Sequence, residues 1–512
     1  MDQANPSALA SARSAAEPAQ PRLKAIDRQQ MRWHPVEVDR LVEEDHPVRA
    51  VWELIGQREL SWFYAPIKAV EGVAGREAID PQLLISLWVW AYSEGVSSAR
   101  EMERRCRYHP VYQWLTGLEG INYHTLSDFR TEHQAALHQL FVEVLGVLDR
   151  AGLVSLKRVM HDGTKVKAQA ADNSFRRKAT LTEHLEVARQ HVDEMEREAA
   201  ASEELSPRRQ QARLRASREK QQRLEQSLEE LKQIQAHSED PDKARASRTD
   251  PDARIMQQAH GACGPAYNVQ ISTDAQEKII VGVGTSQSSS DAGELEPAIE
   301  RVEANLGRPV GEMGVDAGFT NQATIEALAE RETALIGSLP DPEARMETAL
   351  KSLGVAEEFL PKAFVYDATQ NRYTCPAGKT LRYQDREKKG ASRRYRYRAA
   401  QGDCNACPLK AHCCPHTSKG RAIWRVEDSA AVAAFKQKMA TPEAQQTYKQ
   451  RAGVAEFPNA WIKDKIGLRQ FRLRGRVKVG TEALWACLTY NIQQWIRLLW
   501  RPQRQPARAA AT

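Results

Sequence analysis

Three stretches of this chain carry residue types and spacings that could do metal or phosphate chemistry. The first is Val159-Met160-His161-Asp162-Gly163-Thr164-Lys165-Val166. An apolar run that gives way to an acid, a glycine, a hydroxyl and a lysine reads as a buried strand stopping at a turn. That places the Asp162 carboxylate at a strand end, beside backbone that a ligand can approach. Asp-Gly is also an ordinary turn dipeptide, so Asp162 means little without partners. The second stretch runs from Gly311 to Thr320 and supplies one. It is another short strand ending in Asp-x-Gly, at Asp316, with a helix after it (Thr324 to Ala329). Two acids at the ends of core strands are what a shared metal site needs. Mg²⁺ takes oxygen ligands, one or two carboxylates together with waters and phosphate oxygens. Two such ions about 4 Å apart activate an attacking oxygen and stabilise a leaving one at phosphorus. His161 reads as a strand-end packing residue rather than a general base.

The third stretch is rich in sulfur. Cys375 opens Cys-Pro-Ala-Gly, and Cys404, Cys407, Cys413 and Cys414 follow within one short segment. A C-x-x-C with two nearby cysteines has the spacing of a tetrahedral zinc site. The expected ligands are Cys375, Cys404, Cys407 and Cys413, with Cys414 or His416 as substitutes for the fourth. Four thiolates leave no open position, so this Zn²⁺ would be structural. From Phe457 onward the chain is basic and aromatic. Lys463, Lys465, Arg469, Arg472, Arg474, Arg476 and Lys478 face only Asp464 and Glu482 in that stretch. Such a concentration fits contacts to phosphates, or simply a solvated basic surface.

The elements that must position these residues follow from pattern. At 512 residues, with 73 Lys and Arg against 67 Asp and Glu, the chain has a formal charge of +6 and enough length for about two to four domains. The N-terminus lacks the apolar core of a signal peptide, and no run approaches the roughly 20 apolar residues of a membrane span. Eight cysteines in so long a chain make no disulfide scaffold. A reducing cytoplasm is the expected compartment. From Trp33 to Leu153 the apolar spacing is helical. Arg100, Arg104, Arg105, Arg107, Arg130 and His133 could line a DNA-facing surface there or form a solvated face. From Leu181 to Ile234 the chain is charged, with leucines at helical spacing on either side of a break at Ser206-Pro207, which predicts an antiparallel helical hairpin. Ala266–Ser272 and Lys278–Gly284 read as two strands of a β-hairpin.

Taken in order, these pieces resemble a DDE transposase of a bacterial insertion sequence, of the group with a ribonuclease-H-like catalytic core. The matching residues are His161-Asp162-Gly163-Thr164-Lys165, Tyr267-Asn268-Val269-Gln270, Val315-Asp316-Ala317-Gly318-Phe319, and Tyr448-x-x-Arg451 followed by Glu456 and Lys463, which is similar to the family's Tyr-Arg-Glu-Lys signature. The stretch from Asp45 to Arg130 and the cysteine cluster are similar to regions that accompany this core.

The resemblance implies an α/β ribonuclease-H-like core, an all-α N-terminal domain, a helical-hairpin insertion and a small cysteine-rich insertion. The boundaries are a tail over 1–28, a helical DNA-binding domain over 29–153, and a first core segment over 154–345 with the hairpin at 176–250. The cysteine-rich insertion follows over 346–426, then the second core segment with the basic region over 427–500 and a tail over 501–512. The resemblance further implies that Asp162, Asp316 and Glu456 hold two Mg²⁺ (or Mn²⁺) ions, and that Tyr448, Arg451 and Lys463 contact DNA phosphates. Arg472 and Arg474 join that set from the basic stretch. The rival third acid is Glu482. Pro458, just after Glu456, would put Glu456 at the start of a helix. The implied activity is cleavage of element ends and strand transfer into target duplex by a cytoplasmic, nucleoid-associated homodimer. The alternatives are an inactive, adapted DNA-binding descendant and a metal nuclease that cuts without joining.

Overall fold

The computed structural model describes residues 28–31, 33, 35–70, 72, 77–201, 207–258, 261–339, 342–389 and 392–504. The expected N-terminal tail lies outside the described residues, apart from Arg28. Of the tail expected over 501–512, Arg501–Arg504 is helical and Arg504 Nη2 donates to Glu53 at 2.9 Å, and the rest lies outside the described residues.

The N-terminal region is built from α1 (Pro47–Gly56), α2 (Pro81–Ser93), α3 (Ala99–Tyr108), α4 (Pro110–Thr116), α5 (Tyr123–Glu132) and α6 (Gln134–Arg150). Their starts are written in the sequence. Asp80 caps α2 by accepting from the Gln82 N–H, Ser98 caps α3 by accepting from the Glu101 N–H, and Pro81 and Pro110 occupy first-turn positions where a missing N–H costs nothing. α2 is apolar nearly all round and is buried accordingly.

The central sheet contains β1 (Arg158–Lys167), β2 (Arg254–Gln257), β3 (Cys263–Asp274), β4 (Ile280–Ser286), β5 (Glu312–Gly314) and β6 (Ala334–Ile336). β3 runs antiparallel to β1 on one side and to β2 and β4 on the other. β1 is parallel to β5, and β5 is parallel to β6. The lateral order is therefore β4 (or β2), β3, β1, β5, β6. α7 (Lys178–Ala201) and α8 (Pro207–Ala236) leave this sheet after β1 and pack on each other through Leu181, Leu185, Ala188, Leu224 and Leu231, a small core of their own. α9 (Leu295–Leu306) links β4 to β5, and α10 (Gln322–Ala329) links β5 to β6.

A second, five-stranded antiparallel sheet carries the cysteines: β7 (Val365–Asp367), β8 (Arg372–Thr374), β9 (Thr380–Lys389), β10 (Ser392–Ala399) and β11 (Ala422–Glu427). The chain then returns through α11 (Pro442–Asp464) and α12 (Arg476–Trp495).

The N-terminal helices do not close a core of their own. One hydrophobic cluster runs from Val42 through the central sheet to Trp500. Tyr92 of α2 stacks on Trp485 of α12 with ring centroids 6.5 Å apart, and the Trp485 indole donates to the Arg130 carbonyl at 3.4 Å. The expected division into a separate helical domain therefore gives way to a shared interior. α12 is buried on nearly every side between α2, α6 and β4. It ties the end of the chain to its beginning.

Candidate active site

Side chains alternate along β1. Met160 and Asp162 turn toward α11, where Met160 packs on Val454 and Ala455. Gly163 and Lys165 face the other way. Asp162 lies in mid-strand, not at a turn: Asp162 and Gly163 pair with Ile271 and Gln270, and β1 continues to Lys167. This corrects the turn assigned to Gly163-Thr164. The reason lies in what approaches Gly163. A Cβ there would stand 2.5 Å from Asp291 Oδ1, 2.8 Å from Gln270 Nε2 and 3.0 Å from Asn268 Oδ1. The glycine serves close approach of side chains to the strand, not a reversal of the chain.

Asp316 is placed by parallel register. Met160 stands opposite Gly314, and Asp162 and Asp316 each lie two residues further on. β5 ends at Gly314, so Asp316 opens the following loop, where its Oδ1 accepts the Gly318 N–H at 2.8 Å. The two carboxylates sense each other. Burial first, and then the Asp316 charge, push the Asp162 carboxyl up to about 6, while Arg451 draws it down.

A third acid joins from the segment between β4 and α9. Asp291 accepts from Lys165 Nζ at 3.1 Å, from Asn268 Nδ2 at 2.7 Å and from Gln270 Nε2 at 3.2 Å, and it adds to the upward push on Asp162. A Cβ on Gly318 would lie 3.0 Å from Asp316 Oδ1 and 3.6 Å from Asp291 Oδ2, so both acids flank that glycine. No local signal marks Asp291, because its partners are 126, 23 and 21 residues away in sequence. Beside them His161 is fully buried, with Nδ1 2.9 Å from Ser272 Oγ, Nε2 2.8 Å from Gln270 Oε1, and the Phe319 ring edge-on. Burial lowers its pKa to about 4. It is a neutral, fully engaged packing residue at any ordinary pH.

α11 supplies the cover. It runs without interruption through Pro458, so Glu456 lies well inside the helix rather than at its start. Asn459 Nδ2 donates to Asp162 Oδ2 at 3.1 Å, and Asn459 Oδ1 is buried with no partner. Arg451 lies near Asp162 and over the Tyr448 ring at 5.9 Å. Lys463 is half-buried. Burial lowers its pKa, and the Asp162 charge works against that. Glu456 is exposed. It stands three residues before Asn459 and seven before Lys463, which puts all three on one side of the helix. Glu482 sits elsewhere. It is buried in α12 and accepts the backbone N–H groups of Arg472 (3.0 Å) and Leu473 (3.1 Å), a structural cap on that loop. Arg472 and Arg474 are exposed and lie beyond the end of β1, where Arg474 Nε donates to the Gln169 carbonyl at 3.0 Å.

The basic face expected on the N-terminal helices is largely neutralised. Arg104 and Arg105 pair with Glu101, Arg105 also with Glu94, and Arg107 with Glu103. Arg130 is buried against the Trp88 ring and donates to the Ser97 carbonyl at 2.7 Å. Of the exposed arginines in this set, Arg100, over Tyr123, has no carboxylate partner among the described residues.

In the second sheet, Cys375, Cys404, Cys407, Cys413 and Cys414 line one cavity of about 30 Å³ together with Arg421. The Lys379 N–H donates to Cys375 Sγ at 3.2 Å and the Arg421 N–H to Cys404 Sγ at 3.3 Å. Burial pushes the Cys413 thiol up to about 12, and neighbouring thiols push the same way. His416 is exposed and does not line the cavity, which leaves Cys414 as the nearer substitute ligand. Among the described residues, no three His, Cys, Asp or Glu side chains stand as a ready-made metal site.

A family model described as a transposase DDE domain matches residues 374–496, and a second, transposase domain DUF772, matches residues 36–132. The two matches support a DDE-type transposase. Its DDE domain is that of an enzyme that cleaves and transfers DNA. The DDE match covers most of the cysteine-bearing sheet, all of α11 and α12, and thus Tyr448, Arg451, Glu456 and Lys463. Asp162 and Asp316 of this transposase lie between the two matched segments. No curated protein and no solved structure matches the chain. No helix among the described residues is long and apolar enough to cross a membrane.

Proposed function

We propose that this transposase cuts DNA at the ends of an insertion sequence and joins the freed ends to a target duplex, with Asp162, Asp316 and Glu456 as its metal-binding acids. The observation that carries the reading is the parallel register of β1 and β5, which sets Asp162 beside Asp316 under α11. The strand order, with antiparallel strands on one side of β1 and two parallel strands on the other, fits a ribonuclease-H-like sheet and supports the same reading.

The donor set fits a hard divalent cation. It offers carboxylate oxygens, two of which repel each other, and the buried, unpartnered Asn459 Oδ1 nearby. When bound, the ions neutralise charge at phosphorus and favour the attacking and leaving oxygens. The chain's own residues do the rest. Asn459 orients Asp162 by its 3.1 Å hydrogen bond. Asp291, fixed by Lys165, Asn268 and Gln270, holds the acidic floor in place. Tyr448, Arg451 and Lys463 on α11, with Arg472 and Arg474, contact the phosphates that flank the reacting bond. Five cysteines around one cavity favour a structural Zn²⁺ held by Cys375, Cys404, Cys407 and either Cys413 or Cys414.

The test is the full-length protein with labelled element-end DNA, target duplex and Mg²⁺. Joined product from wild type and none from Asp316→Ala supports the reading. Cleavage by wild type without joining would make it a nuclease, and binding without either would make it an adapted DNA-binding protein.

A further inference from the structure

Three cations at the root of the helical hairpin have no function in the site above, and they gather beside a fourth, Arg474, that does. Lys220 and Arg223 of α8, Arg248 from the segment that follows, and Arg474 from the loop before α12 line one cavity of about 400 Å³. Its other walls are Glu183, His184 and Val187 of α7, with Leu224 and Thr249. Four separate stretches of the chain therefore converge on it. Glu183 is the only carboxylate among the lining residues. No ion pair or side-chain hydrogen bond engages Lys220, Arg223 or Arg248 among the described residues. Arg474 gives only its Nε to the Gln169 carbonyl, which leaves its two terminal nitrogens uncommitted. The neighbouring Asp250 does not line the cavity. Its Oδ1 accepts from the Tyr267 hydroxyl at 2.7 Å and the Gly475 N–H at 3.0 Å, and its buried Oδ2 has no hydrogen-bond partner among the described residues, so its charge offsets part of that of Arg474. His184 Nδ1 is buried without a partner.

Packing does not explain this cluster. The hairpin is held by its own apolar contacts (Leu181, Leu185, Ala188, Leu224, Leu231) and by the Arg254–Glu230 pair at its base. Four like charges around a concavity repel one another unless an anion is brought from outside. We propose that this cavity is a binding site for the phosphate backbone of duplex DNA, and that the hairpin root belongs to the transposase's DNA track. The proposal rests on the transposase reading above and adds a second contact region to it.

Its place in the fold fits that ligand. β1 leads from Asp162 to Lys167 and then to Gln169, whose carbonyl holds Arg474. Five strand residues span roughly 17 Å, about five base pairs of duplex rise. A duplex with one phosphate at Asp162 and Asp316 could therefore rest a flanking phosphate at the hairpin root. The exposed Arg472, Arg476 and Lys478 extend the positive line outward.

The test is fluorescence anisotropy of the full-length protein with a labelled, mixed-sequence duplex longer than its footprint, titrated between about 50 and 200 mM salt. Arg223→Gln/Arg248→Gln should weaken binding roughly tenfold and reduce the slope of log affinity against log salt by about 2, because each lost phosphate contact removes about 0.9. Glu183→Gln removes the one carboxylate that lines the cavity and should tighten binding about two- to threefold, a gain that misfolding cannot produce. If the double variant keeps the wild-type slope, or Glu183→Gln fails to tighten binding, the cavity is not a phosphate site. The same holds if the double variant alters self-association of the chain and leaves DNA affinity intact. A wild-type protein that does not bind the duplex at all would overturn the transposase reading together with this one.

Discussion

At the level of single residues, Asp162 is the most informative group. Its carboxyl is raised from an ordinary value to about 6, chiefly by burial and then by Asp316. A folded-state pKa above the unfolded one means that the native state holds the proton more tightly. For the metal-free protein this contribution favours folding below about pH 4 and is lost as pH rises to about 6. A rise of this size corresponds to about 3 kcal/mol. Asp162→Asn should therefore raise the melting temperature of metal-free protein at pH 7.5 and flatten its pH dependence between 4 and 6. Added Mg²⁺ should stabilise wild type more than the variant. Thermal melts across pH, with and without Mg²⁺, check this. A variant less stable than wild type at pH 7.5 would contradict it.

Gly163 is the second test at this scale. A methyl group there meets Asp291 Oδ1 at 2.5 Å and Gln270 Nε2 at 2.8 Å, and Asp291 is tied by three donors. Gly163→Ala should cost about 1–3 kcal/mol by overcrowding and displace Asp291 from Lys165, measured by denaturant unfolding. Unchanged stability would mean that Asp291 moves freely.

At the level of elements, the cysteine-bearing sheet makes the clearest prediction. Its apolar core consists of little more than Phe364, Leu381, Tyr397, Ala399 and Ile423, which is meagre for a unit of this length and suits support by a structural metal. Metal analysis of purified full-length protein should find about one zinc per chain. Cys404→Ser should lose it and lower the melting temperature. Zinc-free wild type with unchanged stability would show the thiols to be simply reduced side chains.

Elements also show where pattern reading succeeds and where it stops. Leu181, Leu185 and Ala188 stand at helical spacing, and those residues form the buried face of α7. Asp80 and Ser98 mark helix starts because capping is local chemistry. The Asp-Gly turn fails because turn propensity is weak next to a ten-residue strand paired on both sides. Pro458 fails as a helix start for a similar reason. Val454 loses its helical donor, but burial of Val454, Ala455, Pro458 and Asn459 against β1 and β3 carries the helix through.

At the scale of the whole molecule, the site is assembled from residues far apart in sequence. Asn459 reaches Asp162 across 297 positions, and Lys165 reaches Asp291 across 126. Asp162 and Asp316 could be singled out from sequence because each follows a short apolar run. Glu456 could be singled out only through resemblance, since its own stretch has no strand and no periodicity that points inward. Asp291 and Asn459 could not be read at all, because nothing local distinguishes a helix-start aspartate or a mid-helix asparagine from one that faces a carboxylate. The arginines of α3 and α5 mislead for the complementary reason. Their charge is visible in the sequence, and the Glu94, Glu101, Glu103 and Trp88 that occupy them become partners only once the helices pack.

The most direct measurement compares Asp162→Asn, Asp316→Asn and Glu456→Gln proteins in strand transfer with labelled element-end DNA, target duplex and Mg²⁺, alongside their affinity for the same DNA. Each substitution should reduce joining on the order of a thousandfold, the several kcal/mol that a bound metal contributes at phosphorus, with DNA affinity little changed. Wild-type joining by any one of the three would contradict its place in the triad, and wild-type joining by both aspartate variants would contradict the site itself.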